Sequence, residues 1–281
     1  MRLHQVILFS CGGLGIFAAE KYIYKEGSMN KEIEQYKKII TSLFEEISSE
    51  DEVIKKAAAV IGDSIMQDKV IHVIGPGGHS NLAVEEMFSR AGGFACVNAI
   101  LDPGTNLSHG GFRSLKVERV PGYANAVLSS YGVGKTPGEV LLIVNAYGIN
   151  AMTIDSALYA KKMGLTSIAV TSRSFADKIP KDHPSRHPTG ANLYQSVDIF
   201  INNHLPYGDA ILSVDGCEQN VGPTSTFCNC FTVDYLTVEI CKYLVSKGYT
   251  PPIFRSGNLP GGDEYNKSLF EKYSGKAILL F

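Results

Sequence analysis

The segment Gly75-Pro76-Gly77-Gly78-His79-Ser80 is the part of this chain best suited to hold an anion. Glycines let the main chain approach a ligand closely, because no side chain stands in the way. An apolar run at residues 70–74 precedes the segment and a helical pattern opens at Asn81. The free N–H groups of a first helical turn would then face whatever the loop encloses. A phosphate would sit there, on Gly77, Gly78, His79 and Ser80. No Lys-Ser/Thr pair closes the loop, so it is not a Walker motif, and G-x-G-x-x-G is not satisfied, so it is not the dinucleotide fingerprint. A plainer description also fits: a tight turn with Ser80 capping the helix. A second loop, Asn145-Ala146-Tyr147-Gly148-Ile149-Asn150, runs from another apolar segment into a helix opening at about Ala151. Asn145, Tyr147, Asn150 and Thr153 would offer neutral donors to phosphate oxygens or sugar hydroxyls, or else cap their own loop.

Two such loops face one crevice only if parallel strands deliver them to the same edge of a sheet, where open α/β folds bind ligands. The pattern supplies those strands. Short apolar runs at residues 70–74, 95–101, 140–145, 167–171 and 198–201 suit strands buried on both faces. Between and before them lie helical patterns at residues 31–48, 51–67, 81–91, 123–131 and 151–163. In the first, Ile33, Tyr36, Ile39, Ile40, Leu43, Phe44 and Ile47 recur at amphipathic spacing. The alternation predicts right-handed βαβ units and a parallel sheet.

Composition removes several classes of function. The 281 residues are 44% apolar and 19% charged, as in a folded globular protein. Lys and Arg number 26 against 28 Asp and Glu, a net charge of −2 with no long block of one sign, so no nucleic-acid footprint exists. Cys11, Cys96, Cys217, Cys228, Cys230 and Cys241 show no framework and no C-x-x-C pair. That scatter predicts a reducing, cytoplasmic compartment without disulfides or structural zinc. Residues 1–28 differ from the rest. Their apolar run, residues 6–19, is too short to span a bilayer. It reads as a secretory signal, as an extra strand, or, as the best fit, as an upstream extension, because Gly27-Ser28-Met29 directly precedes a well-formed helix. A core of residues 29–281 and an extension of residues 1–28 is therefore expected.

The succession GPGGHSNLAVEEMFSRAGG, then VNAYGINAMTIDSALYAKKMGLTSIAVTS, resembles the sugar isomerase (SIS) phosphosugar-binding domain. The later stretches PSRHPTGANLY, HLPYGDAILSVDG, VGPTSTF and PPIFRSGNLPGGDEYNKSLFEKY resemble a bacterial subgroup of that domain described as phosphoheptose-isomerase-like. The resemblance runs from about Met29 to the C-terminus. It implies a three-layer αβα sandwich around a five-stranded parallel sheet, flavodoxin-like, preceded by N-terminal helices. It also implies a homodimer or homotetramer with a sugar phosphate bound near a subunit interface. Of the usual S-x-S-G-x-T pattern of the second loop, only Gly148 is retained here.

Aldose-ketose isomerisation moves a proton between adjacent carbons through an enediol and needs a base beside the substrate. The resemblance places that base on the helix after the first loop, where Glu86, followed by Arg90, matches a functional glutamate and arginine; Glu85 is the neighbouring candidate. Histidine titrates near neutral pH and is the natural second acid or base. His79 stands in the first loop and His187 in the Ser-Arg-His stretch, whereas His72, inside a strand, reads as a core residue. Asp263 and Glu264 follow the flexible turn at residues 257–262. Glu264 could close over a site as a ring-opening acid, or the pair could cap the next helix. Residues 224–245 lack the Gln/His pair that metal-binding relatives carry, so neither metal nor cofactor is expected. Three classes stay open: a sugar-phosphate isomerase or related lyase, a phosphosugar sensor, and a structural oligomer. A DNA-binding regulator is disfavoured, because the stretch from Met29 to Met66 is too short and too acidic for a helix-turn-helix module.

Overall fold

The structure, a computed structural model, describes residues 30–280. The extension expected at residues 1–28 lies outside them. Asn30 opens helix α1 (Lys31–Ser48) by accepting the N–H groups of Glu32 and Ile33 on its side-chain oxygen. Helix α2 (Asp51–Met66) follows and buries Ile54, Ala57, Ala58, Ile61 and Ile65 along one face. Five strands, β1 (Ile71–Ile74), β2 (Val97–Ile100), β3 (Val140–Val144), β4 (Thr166–Thr171) and β5 (Ile199–Asn202), form one parallel sheet in the order β2-β1-β3-β4-β5.

The central strands β1 and β3 are buried at every position because helices cover both faces of the sheet. Side chains alternate between the two faces. Val140, Leu142 and Val144 enter the core shared with α2 and with helix α8 (Ser225–Ser246), through Val233, Leu236, Ile240 and Leu244. Leu141 and Ile143 enter the opposite core, against helices α5 (Tyr123–Ser130) and α6 (Ala151–Met163). The result is the three-layer αβα sandwich that the resemblance implies. Because the chain leaves β1 for β2 on one side and returns to β3 on the other, the crevice between β1 and β3 is the switch point at which doubly wound sheets bind ligands. His72 is buried on β1, its Nε2 3.2 Å from Glu139 Oε2 and its Nδ1 2.9 Å from Asn98 Nδ2. Among the described residues, no helix is long and apolar enough to cross a membrane.

Several elements differ from the periodicity. The helix expected over residues 81–91 is α3 (Asn81–Met87). It stops early because the chain turns extended at Phe88, after which Gly92 and Ala95 donate their N–H groups to Phe254 and Pro252. Helix α4 (Gly111–Val117), helix α7 (Arg173–Lys178) and the hairpin of β6 (Ala210–Leu212) with β7 (Val221–Pro223) have no apolar period to announce them. Helix α4 opens on two glycines and leaves Phe112 and Leu115 exposed. Helix α9 (Gly262–Tyr273) already includes Asp263 and Glu264, in its first turn.

Candidate functional site

The loops after β1 and β3 meet at a single carbonyl. Pro76 O accepts from Asn145 Nδ2 at 2.7 Å, from Asn150 Nδ2 at 2.9 Å and from Thr153 Oγ1 at 3.5 Å. Asn145 Oδ1 accepts the N–H groups of Tyr147 and Gly148, while Asn150 Oδ1 caps α6 through the N–H of Thr153. The polar residues of the second loop thus hold the first loop in place. Neither Thr153 nor Gly148 lines the cavity; both lie behind it.

With the first loop so clamped, the N–H groups of Gly78, His79 and Ser80 find no acceptor among the described residues. Ser80 makes no capping bond with its side chain. Gly75 is required by space and Gly77 by its backbone conformation. A Cβ on Gly75 would collide with the carbonyl of Ser80, and one on Gly77, whose φ is +146°, would stand 2.8 Å from Glu118 Oε2. Gly75→Ala is therefore expected to lower the melting temperature by several degrees, since overpacking against backbone cannot be relieved by a rotamer change. A melting curve equal to that of the parent protein would refute the tight turn.

Above the loops lies a cavity of about 340 Å³. Gly77 to Ser80 form its floor with Asn145, Tyr147 and Asn150, and Leu115, Glu118 and Arg119 descend from the end of α4. Phe175, Ile179, His183 and Ser185 also line it. The main chain at Glu118 is fixed because its carbonyl accepts the N–H of Met152 at 2.9 Å, in the first turn of α6. Burial lifts the Glu118 carboxyl from its ordinary range to about 7, against the pull of neighbouring Arg119. The guanidinium of Arg119 has no ion pair among the described residues, and its buried Nε has no hydrogen-bond partner there. An arginine without an anion beside a carboxyl near neutrality is chemically able to receive an anion and to hold or release a proton.

Tyr147 stacks on Phe175 with ring centroids 4.0 Å apart. Burial, with the charge of and a hydrogen bond to Asp209, pushes its phenol up to about 12, so it stays a neutral donor. Asp209 itself is occupied, accepting the N–H groups of Thr224 and Ser225 at 2.8 and 2.7 Å and Ser225 Oγ at 2.8 Å. The N-terminus of α8 is thereby closed by the protein's own carboxylate.

Other expected residues stand elsewhere. Glu85 and Glu86 do not reach the cavity within this chain: α3 buries Ala83, Val84 and Met87, which turns both glutamates into a separate shallow groove with Thr226 and Cys230, where Glu86 pairs with Arg90. His187 is buried beneath the wall, its Nε2 3.2 Å from Asp155 Oδ1 and its Nδ1 2.7 Å from Thr189 Oγ1. Glu264 is exposed in the first turn of α9 and does not line the cavity. Sequence reasoning missed Glu118, Arg119 and Ser185, and did not single out His183. One signal was available for the first two: residues 101–122 make a connection longer than ordinary crossovers, and such loops are usually functional.

Residues 35–172, which carry both loops, Glu118 and Arg119, match the family model of the SIS domain. More narrowly, the chain belongs to the UPF0309 family. A UPF0309 protein of Halalkalibacterium halodurans is 37% identical over 250 residues, covering 86% of this chain and 97% of that relative. One of Caldanaerobacter subterraneus subsp. tengcongensis is 39% identical over 229 residues, covering 80% and 90%. Among solved structures, a phosphoheptose isomerase from Francisella tularensis aligns at a TM-score of 0.49 and 14% identity, over 76% of this chain and 100% of that one.

Proposed function

We propose that this protein is a sugar-phosphate isomerase working through an enediol at the cavity between the β1 and β3 loops. Membership of the SIS domain supports phosphosugar binding. The observation that carries the catalytic reading is Glu118, a carboxyl raised to about 7 beside an arginine that has no counter-ion, and three amides that have no acceptor, among the described residues. The phosphate sits on the N–H groups of Gly78, His79 and Ser80 and on Arg119. Ionised Glu118 then takes the proton from the carbon next to the carbonyl and returns it to the former carbonyl carbon, while the hydroxyl proton of the first carbon passes to the former carbonyl oxygen across the enediolate.

Assembly into a homo-oligomer belongs to the same proposal. Exposed Phe227, Val238 and Val245 fall on one stripe of α8, interrupted by exposed Asp234, a face that a second copy could cover. A cytoplasmic location is in keeping with Cys96, Cys217, Cys228, Cys230 and Cys241, all free thiols.

The test has two parts. Sugar phosphates are expected to raise the melting temperature, with far smaller shifts from the same sugars lacking phosphate; equal shifts would overturn the anion reading. Incubation in deuterated water with a bound sugar phosphate is expected to exchange the hydrogen beside the carbonyl. Binding without exchange would make the protein a sensor.

A further inference from the structure

We infer that Asn229 is a further catalytic residue of this cavity, its side-chain amide donating to the substrate oxygen on which negative charge gathers as Glu118 takes the proton. The inference rests on the isomerase reading above and deepens it. In an enediolate the charge lies on the former carbonyl oxygen, which the base itself does not touch. A donor fixed in place beforehand stabilises that oxygen without having to reorganise as the charge appears. Few lining side chains are both free and fixed. The amides of Asn145 and Asn150 are turned onto Pro76 O. Ser225 Oγ donates to Asp209, and Tyr147 shares a hydrogen bond with the same carboxylate. Ser80 belongs to the loop that takes the phosphate, and His79 and His183 are exposed to solvent.

Asn229 differs from all of these. It is 2% exposed and stands one turn beyond Ser225 on α8, and both residues line the cavity. Its neighbours fix the direction of its amide. Asn203, fully buried, accepts the N–H of Leu205 on its Oδ1 at 3.4 Å, so its Nδ2 is the donor that Asn229 Oδ1 accepts at 2.8 Å. Nδ2 of Asn229 is thereby left as a held donor with no acceptor among the described residues. Helix α8 packs on one face of the sheet and α6, whose first turn holds the main chain of Glu118, on the other. Base and donor therefore reach the crevice from its two walls. Asn229 transfers no proton: it lends a hydrogen bond to the oxyanion while Glu118 carries the carbon-bound proton.

The test follows hydrogen exchange at carbon 1 of ribulose 5-phosphate, fructose 6-phosphate and sedoheptulose 7-phosphate in deuterated water, at saturating concentration, beside their dissociation constants by calorimetry. It compares the full chain with Asn229→Asp and Asn229→Ala. The aspartate variant keeps an acceptor for Asn203 and so protects the fold while losing the donor; the alanine variant loses the donor without adding charge. For whichever ketose phosphate the parent protein exchanges, the rate is expected to fall by about 100-fold in both variants, with affinity in Asn229→Ala held within about threefold. The hydroxamate that copies its enediolate should lose about 100-fold in affinity for Asn229→Ala, because it presents the oxyanion that the ketose lacks. Exchange within about threefold of the parent rate in both variants would overturn the assignment of Asn229 and leave the isomerase reading standing. Affinity for the ketose phosphate falling as far as exchange would make Asn229 a holder of the ground state and overturn it equally. No exchange by the parent protein with any of the three would overturn the isomerase reading itself, and this inference with it.

Discussion

Replacing Arg119 by alanine is expected to weaken sugar-phosphate binding by roughly 10- to 100-fold while leaving the melting temperature of the ligand-free protein almost unchanged. The separation of the two effects follows from what Arg119 lacks. Most buried or half-buried arginines hold a carboxylate or several carbonyls, so that removing them leaves an unpaired charge. Arg186 is of that kind here, donating to the carbonyls of Ala176, Ile179 and Pro180. Arg119 has no ion pair among the described residues and carries a buried Nε without an acceptor, so its removal strands nothing. With phosphate bound, the same group makes charge-assisted hydrogen bonds worth roughly 1.5–3 kcal/mol, which sets the range of the loss. Arg119→Lys should recover part of the affinity, because lysine keeps the charge without the planar fork. A second readout is the pH profile. Arg119 lowers the Glu118 carboxyl against the effect of burial, so the alanine variant should shift the ascending limb of activity to higher pH. A variant that binds as well as the parent would remove Arg119 from the site.

What the sequence discloses and what it withholds follow from the same physics. Buried parallel strands must be apolar on both faces, so all five were legible as short apolar runs, and the glycine loop after β1 was legible because close backbone packing admits nothing larger at Gly75. Asn145 and Asn150 could be read as ligands or as loop braces, and in this chain their amides are turned onto Pro76. The carboxylate next to the loops was harder. Glu86 lies near the phosphate loop in sequence, but one short helix turns it outward, whereas Glu118, far from either loop in sequence, is brought in by the hydrogen bond between its carbonyl and Met152. That bond joins a segment without hydrophobic period to the start of α6, and no local pattern encodes it. Charge and spacing identify residues able to do chemistry; long-range backbone pairing decides which of them share a cavity.

Glu118 offers the sharpest test, because one substitution should move activity and stability in opposite directions. Glu118→Gln keeps the size and polarity of the side chain but cannot accept and return a proton, so solvent exchange at the substrate carbon should fall by at least about 100-fold, with sugar-phosphate affinity held within a few-fold. In the parent protein the active form is the carboxylate, so activity should climb as the pH rises through about 7 and then level. Stability runs the other way. The folded protein holds the Glu118 proton more tightly than the unfolded chain, whose carboxyl titrates near 4.5, so this group is at its most favourable below that pH. As the pH rises through about 7 that contribution is lost, because ionisation is then forced in a largely buried position. Glutamine never ionises. The variant should therefore melt with the parent protein near pH 4.5 and above it near pH 8, by a margin on the order of 2 kcal/mol, which is several degrees for a chain of this size. Loss of exchange without a gain in stability at pH 8 would show that the carboxyl is not desolvated, and a gain in stability with exchange intact would send the search for the base to another residue.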